Sequence, residues 1–144
     1  MPDIFSYNAT MAPAFEGMIA ETQFKDATSR RVETAAGIGF GLAVTKGTAD
    51  AQVRLGGTVF VGITVADHGQ PGNRYEQNAV AACLRRGTIW VKADGAVTAG
   101  SPVTYTTATG LVGQRAVAAG IVAVPDAIFE TSGASGDLVR VYLG

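Results

Sequence analysis

Few residues of this chain are able to do chemistry. A nucleophile, a base and an orienting acid could come only from Cys83, His68 and Asp67, since the sequence has one cysteine and one histidine. Their settings argue against that use. His68 stands in DHGQPG (67–72), a stretch of turn formers in which a solvated imidazole is the ordinary occupant. Cys83 lies between Ala82 and Leu84 in an apolar run, where a thiol packs as a small hydrophobe and stays protonated. GTVFVGIT (57–64) has the glycine spacing of a phosphate-binding loop, but Ile63 takes the lysine position and the residues between are strand formers. Gly37, Gly39 and Gly41 follow G-x-G-x-G and precede a strand, so the dinucleotide fingerprint fails as well. One His, one Cys and scattered carboxylates make no metal site, and Asn8-Ala9-Thr10 is a glycosylation sequon only in a secreted chain. No enzyme, no cofactor and no metal are expected.

The composition points the same way. A chain of 144 residues is enough for one domain with its own core. Charged residues make up 16%, low against the usual quarter, and the 19 glycines are about twice the usual share. Such a surface suits either a turn-rich β-protein or one that lives packed against other protein. A net charge of −1 with scattered basic residues offers no footprint for nucleic acid or an anionic membrane. One cysteine excludes an internal disulfide, and no stretch approaches the ~20 apolar residues of a membrane span. Asp3 and the polar Ser6, Asn8 and Thr10 do not read as a signal peptide, so the expectation is a protein made in the cytoplasm that either stays there or leaves by a route other than secretion.

The element on which any functional face depends is RGTIWVKADG (86–95). Alternation puts Ile89, Val91 and Ala93 on one face and Thr88, Trp90 and Lys92 on the other. The first face is core. The second is either a further packing layer or a surface turned to a partner. AVAACL (79–84) precedes it, joined through Arg85 and Arg86 either as a hairpin or as one strand continuing through a bulge.

Residues 1–22 read as an extended arm, and 23–144 as the β-domain. The arm carries Ile4, Phe5, Tyr7, Met11, Phe15, Met18 and Ile19 with no single period, while Pro2 and Pro13 disfavour a central strand. So many apolar side chains need a cover, and a neighbouring subunit is the expected one for Ile4, Phe5, Tyr7, Met11, Phe15 and Met18. Beyond it, Ala27–Ala36 reads as a short edge strand or loop, and Phe40, Leu42 and Val44 as one half-buried strand from Gly39. Val59–Val65 is a further strand, Val103–Tyr105 and Leu111–Val112 form a hairpin, and Gly120–Val124 is a short run ended by Pro125 before a separate strand at Ile128–Phe129. Val139, Val141 and Leu143 form a closing strand paired inside the sheet. Some nine to eleven short strands, with a turn about every 8 to 12 residues, indicate an all-β sandwich or barrel.

With these elements placed, GFGLAVTKG (39–47), FVGITVADH (60–68), AACLRRGTIWVKADGAVTAGSPVTY (81–105) and AIFETSGASGDLVRVYL (127–143) resemble the structural cement proteins of tailed-bacteriophage capsids. MPDIFSYN and GMIAET resemble that family's start, so the likeness covers nearly the whole chain. Gln77-Asn78 departs from the family's Gly-Asp. The resemblance implies a jelly-roll-like single domain on the outer surface of a virion, bridging major capsid protein subunits and stabilising the shell. It also implies a homo-oligomer, with a two-fold dimer expected before a trimer. The other reading is a ligand module displayed on a particle, binding carbohydrate or a receptor through Trp90.

Overall fold

The computed structural model describes residues 14–20 and 25–144. Its longest element runs uninterrupted from Val80 to Lys92, so the two apolar runs are one strand and Arg85-Arg86 is not a hairpin turn. Gly87, with φ 126°, supplies backbone freedom at the midpoint, and the pairing register slips by one residue beside Arg85. In chain order the strands are β1 (Asp26–Val32), β2 (Ile38–Gly39), β3 (Ala43–Lys46), β4 (Gln52–Arg54), β5 (Phe60–Thr64), β6 (Arg74–Tyr75), β7 (Val80–Lys92), β8 (Pro102–Thr106), β9 (Val112–Gly113), β10 (Ile121–Phe129) and β11 (Leu138–Leu143). This is the expected all-β sandwich/barrel.

The first half of β7 pairs with β1 and β5, its second half with β11. The sheet order is β1-β4-β3-β5-β7-β11-β10-β8-β9, and the β1–β7 pairing closes the first five strands into a ring. All pairings in that ring are antiparallel except β1 with β4. β2 and β6 form a separate two-stranded pair.

Alternation along β7 serves two cores. Ala81 and Cys83 pack with Val32, Val44, Val53, Ile38, Phe40 and Tyr75. Leu84, Ile89 and Val91 pack with Ile63, Val103, Tyr105, Phe129, Val139 and Val141. Small residues inside the narrow ring leave space for Phe40 and Tyr75, whose rings meet edge to face at 5.3 Å. The Tyr75 hydroxyl donates to the Val65 carbonyl at 2.5 Å, which satisfies the polar end of a buried ring.

Two sequence expectations need correction. The run from Gly39 is not one strand: Gly41 adopts φ +71°, and a turn at Phe40-Gly41 separates β2 from β3. Conversely, Pro125 does not end a strand. β10 passes through it as an irregularity, with Asp126 at φ 54° and the register against β8 shifting between Ala123 and Ile128. An exposed proline at a bulge loses no ladder bond. Asn78, also left-handed at φ 68°, makes the turn into β7, a conformation asparagine tolerates.

Candidate functional site

The free edge of the second half of β7 is taken by the chain's own residues 17–20. The Gly17 N–H donates to the Trp90 carbonyl at 2.8 Å, Trp90 N–H to Met18 at 2.9 Å, and Ala20 N–H to Thr88 at 2.8 Å. Ile19 stands opposite Ile89 and joins the core beneath. Gly17 is held from its other side too, because its carbonyl accepts from Ala66 N–H at 2.8 Å. A Cβ there would lie 2.8 Å from both Ala66 N and the Phe40 Cβ, and one on Gly41 would lie 2.9 Å from Gly17 N. The two glycines let the segment cross against backbone. Phe15 then sits edge-on to His68 at 5.2 Å, and Glu16 pairs with Lys92 at 3.8 Å on the surface.

This added edge widens the outward face of the sheet, whose rows follow from register. One row runs Ala20, Thr88, Tyr142, Ile128 and Pro102, the next Met18, Trp90, Arg140 and Glu130, and a third Glu16, Lys92 and Leu138. Met18, Tyr142 and Ile128 are 37%, 42% and 44% exposed, large values for big apolar side chains. Trp90 is half-buried among them. The Arg140 guanidinium carbon lies 6.0 Å from the indole centroid, and Arg140 pairs with Glu130 at 3.6 Å. The Thr88 hydroxyl donates to Glu130 at 3.0 Å. The face therefore carries exposed apolar side chains in its first two rows, beside an Arg140–Glu130 pair whose charges are already neutralised.

The alternation of 86–95 thus gives the correct inward set, Ile89, Val91 and Ala93 all being buried. Of the outward set, Lys92 is exposed and Trp90 half-buried, but Thr88 is only 2% exposed and no contact surface of its own. It lies beneath its cross-strand partner Tyr142 and serves Glu130. Phe15 and Met18 are described and partly exposed, while Ile4, Phe5, Tyr7 and Met11 lie outside the described residues. Sequence reasoning missed Tyr142 and Ile128 as face residues. Both alternate against buried neighbours, Val141 and Leu143 for the first and Ala127 and Phe129 for the second, a signal present but unused.

The chemical groups stay apart. Cys83 is buried, and burial pushes its thiol up to about 11, beyond use as a nucleophile near neutral pH. His68 is exposed on a loop, edge-on to Phe15. Among the described residues no group of three or more His, Cys, Asp or Glu is placed to hold a metal ion, and no helix is long and apolar enough to cross a membrane.

Comparison with known proteins adds the following. No curated protein sequence matches the chain. A solved chain from "The capsid of Myoviridae Phage XM1" superposes on it with a TM-score of 0.77, covering 100% of this chain and 98% of that one at 16% identity, which is a likeness of fold. The head fiber gp8.5 N base of bacteriophage phi29 gives a TM-score of 0.49 at 10% identity over 84% of this chain and 95% of that one, too distant to argue from. The family model described as "Structural cement protein (E217 gp24/Pam3 gp6)" matches residues 5–144, so the chain belongs to the structural cement protein family of phages.

Proposed function

We propose that the protein binds the outer surface of a phage capsid, bridges major capsid protein subunits and so stabilises the shell, docking through the face built on Met18, Trp90, Lys92, Ile128 and Tyr142. The observation that carries this reading is the face itself, where exposed Met18, Ile128 and Tyr142 lie beside charges that already have partners. Burying it against a second protein gains about 25 cal/mol per Å² of apolar area and strands no unpaired charge. The arm residues Ile4, Phe5, Tyr7 and Met11 extend the contact to a second subunit, for which Phe15 and Met18 lie at the point of departure. Once the face is docked, the arm meets its site at an effective concentration of roughly millimolar. A two-fold dimer is the proposed assembly, tested by light scattering of the isolated protein.

The test uses shells lacking the protein. Tyr142→Ala with Ile128→Ala should retain the strand spectrum and cooperative unfolding yet lose binding at least tenfold, together with the added heat resistance of the shell. A chain beginning at Ala14, which keeps the Gly17 crossing, should bind more weakly than the full chain while folding normally. Unchanged binding by both variants would overturn the reading. Display of a sugar- or receptor-binding module finds less support, because Arg140 already lies over the indole on which a sugar would stack.

A further inference from the structure

A second surface lies away from the docking face, at one mouth of the five-stranded ring. All five ring strands, β1, β3, β4, β5 and β7, contribute to a depression of about 260 Å³ lined by Arg30, Lys46, Gln52, Phe60, Val61 and Arg85 together with Asp50 and Val59. Three cations face one carboxylate there, in a chain whose net charge is −1. Their pairing is uneven. Arg85 is bound to Asp26 at 2.8 Å, and Lys46 reaches a fully exposed Asp50 only at 3.8 Å. Arg30 has no carboxylate within ion-pair distance among the described residues. Its guanidinium donates from Nη1 to the neutral Thr28 hydroxyl at 2.6 Å and the Ser29 carbonyl at 3.0 Å.

Arg30 is also half-buried, in the same alternate row of β1 as the fully buried Val32. A half-buried arginine beside Phe60 and Val61, its guanidinium still reached by water and with donors left over from two neutral acceptors, is set up for a charge-assisted bond to an anion. The apolar part of the lining decides which kind. Val59, Val61 and Phe60 offer apolar contact to a short aliphatic stem, while two or three cations give no track for a polyanionic backbone. We infer that the mouth of the ring is a carboxylate pocket that seats a glutamate or aspartate side chain of an acidic protein segment, with Arg30 as its principal donor and Lys46 as the second.

In the setting of the proposed function, on which the choice of a protein partner rests, the segment belongs to a shell subunit. The probe in solution is a glutamate tripeptide blocked at both ends, followed through the methyl signals of Val59 and Val61 in the intact protein, with the glutamine tripeptide and inorganic phosphate as parallel arms. The glutamate peptide should shift those signals and weaken as salt rises. Arg30→Gln, which removes the charge and keeps a polar stem, should cost at least tenfold in affinity, with Lys46→Gln costing less. Overturning results are no shift with glutamate, an equal shift with glutamine, tighter binding of phosphate, or an effect unchanged in Arg30→Gln. Shell binding separates this from the earlier reading. Arg30→Gln should attach less tightly than the parent, whereas a parent chain that fails to attach refutes shell docking and leaves the pocket to be decided by the peptide.

Discussion

Tyr105 is the residue at which local accounting does not balance. Its ring is buried in the larger core, 5.5 Å from Phe60, and its hydroxyl has no hydrogen-bond partner among the described residues. A buried donor without an acceptor costs about 1–3 kcal/mol, so Tyr105→Phe should stabilise the fold by roughly 1 kcal/mol and raise the thermal midpoint by about 2–4 °C. An unchanged or lower midpoint would show that the hydroxyl is satisfied. Glu33 has the opposite character. It accepts from both the backbone N–H and the hydroxyl of Thr48, at 2.8 and 2.5 Å, and the Thr48 hydroxyl bond leads in holding its carboxyl below the ordinary value. A carboxyl depressed by folding contributes stability that is present above its unfolded pKa and lost as pH falls through the folded one. The stability difference between the parent and Glu33→Gln should therefore be largest at neutral pH and shrink below about pH 4, as read from unfolding midpoints.

Among the elements, the crossing of residues 14–20 over the sheet edge depends on Gly17 at φ +80° with backbone on two sides. Gly17→Ala adds both left-handed strain and a clash with Ala66 N, a cost of at least about 1–2 kcal/mol, concentrated on the segment's hold. Hydrogen exchange should show Trp90 N–H losing protection while the β7–β11 ladder keeps it. Equal loss in both places would mean that the segment and sheet open as one. Period-two alternation made the strands legible, since β5, β7, β8 and β11 each show it in Val, Ile, Tyr and Leu. It could not tell a hairpin from a continuous β7, because Arg85-Arg86-Gly87 serves as a turn or as a bulge, and the choice rests on partners distant in sequence. Gly41 and Pro125 were read by local habit. One breaks its strand to admit Gly17, and the other rides a bulge because its own ladder is already interrupted. The face proposed for docking was half visible: Trp90 and Lys92 stand out by type, whereas Tyr142 and Ile128 join them only through register with strands some fifty and forty residues away from β7.

At the scale of the whole molecule, the two cores share β7, with Leu84 in one and Cys83 in the other as consecutive residues. Unfolding should accordingly be a single event. Trp90 fluorescence reports on the open sheet and alkylation of the Cys83 thiol on the ring, and in denaturant the two should give the same midpoint; separated midpoints would mean the cores melt independently. Leu84→Ala should cost about 2–5 kcal/mol and move both signals together.

The shared strand also decides how the molecule would carry a mechanical load. β7 is antiparallel to β11 over Gly87–Lys92 and to β1 over Val80–Arg86, so its two ends are gripped by different parts of the body. A tangential pull along the strand would stress each ladder in shear, loading its hydrogen bonds side by side, while a pull across it would part them one at a time. Because β7 runs unbroken through its bulge from one half to the other, tension applied along that axis would pass into the closed ring without first straightening a loop, making the protein a stiff tie along β7 and a more yielding one at right angles to it.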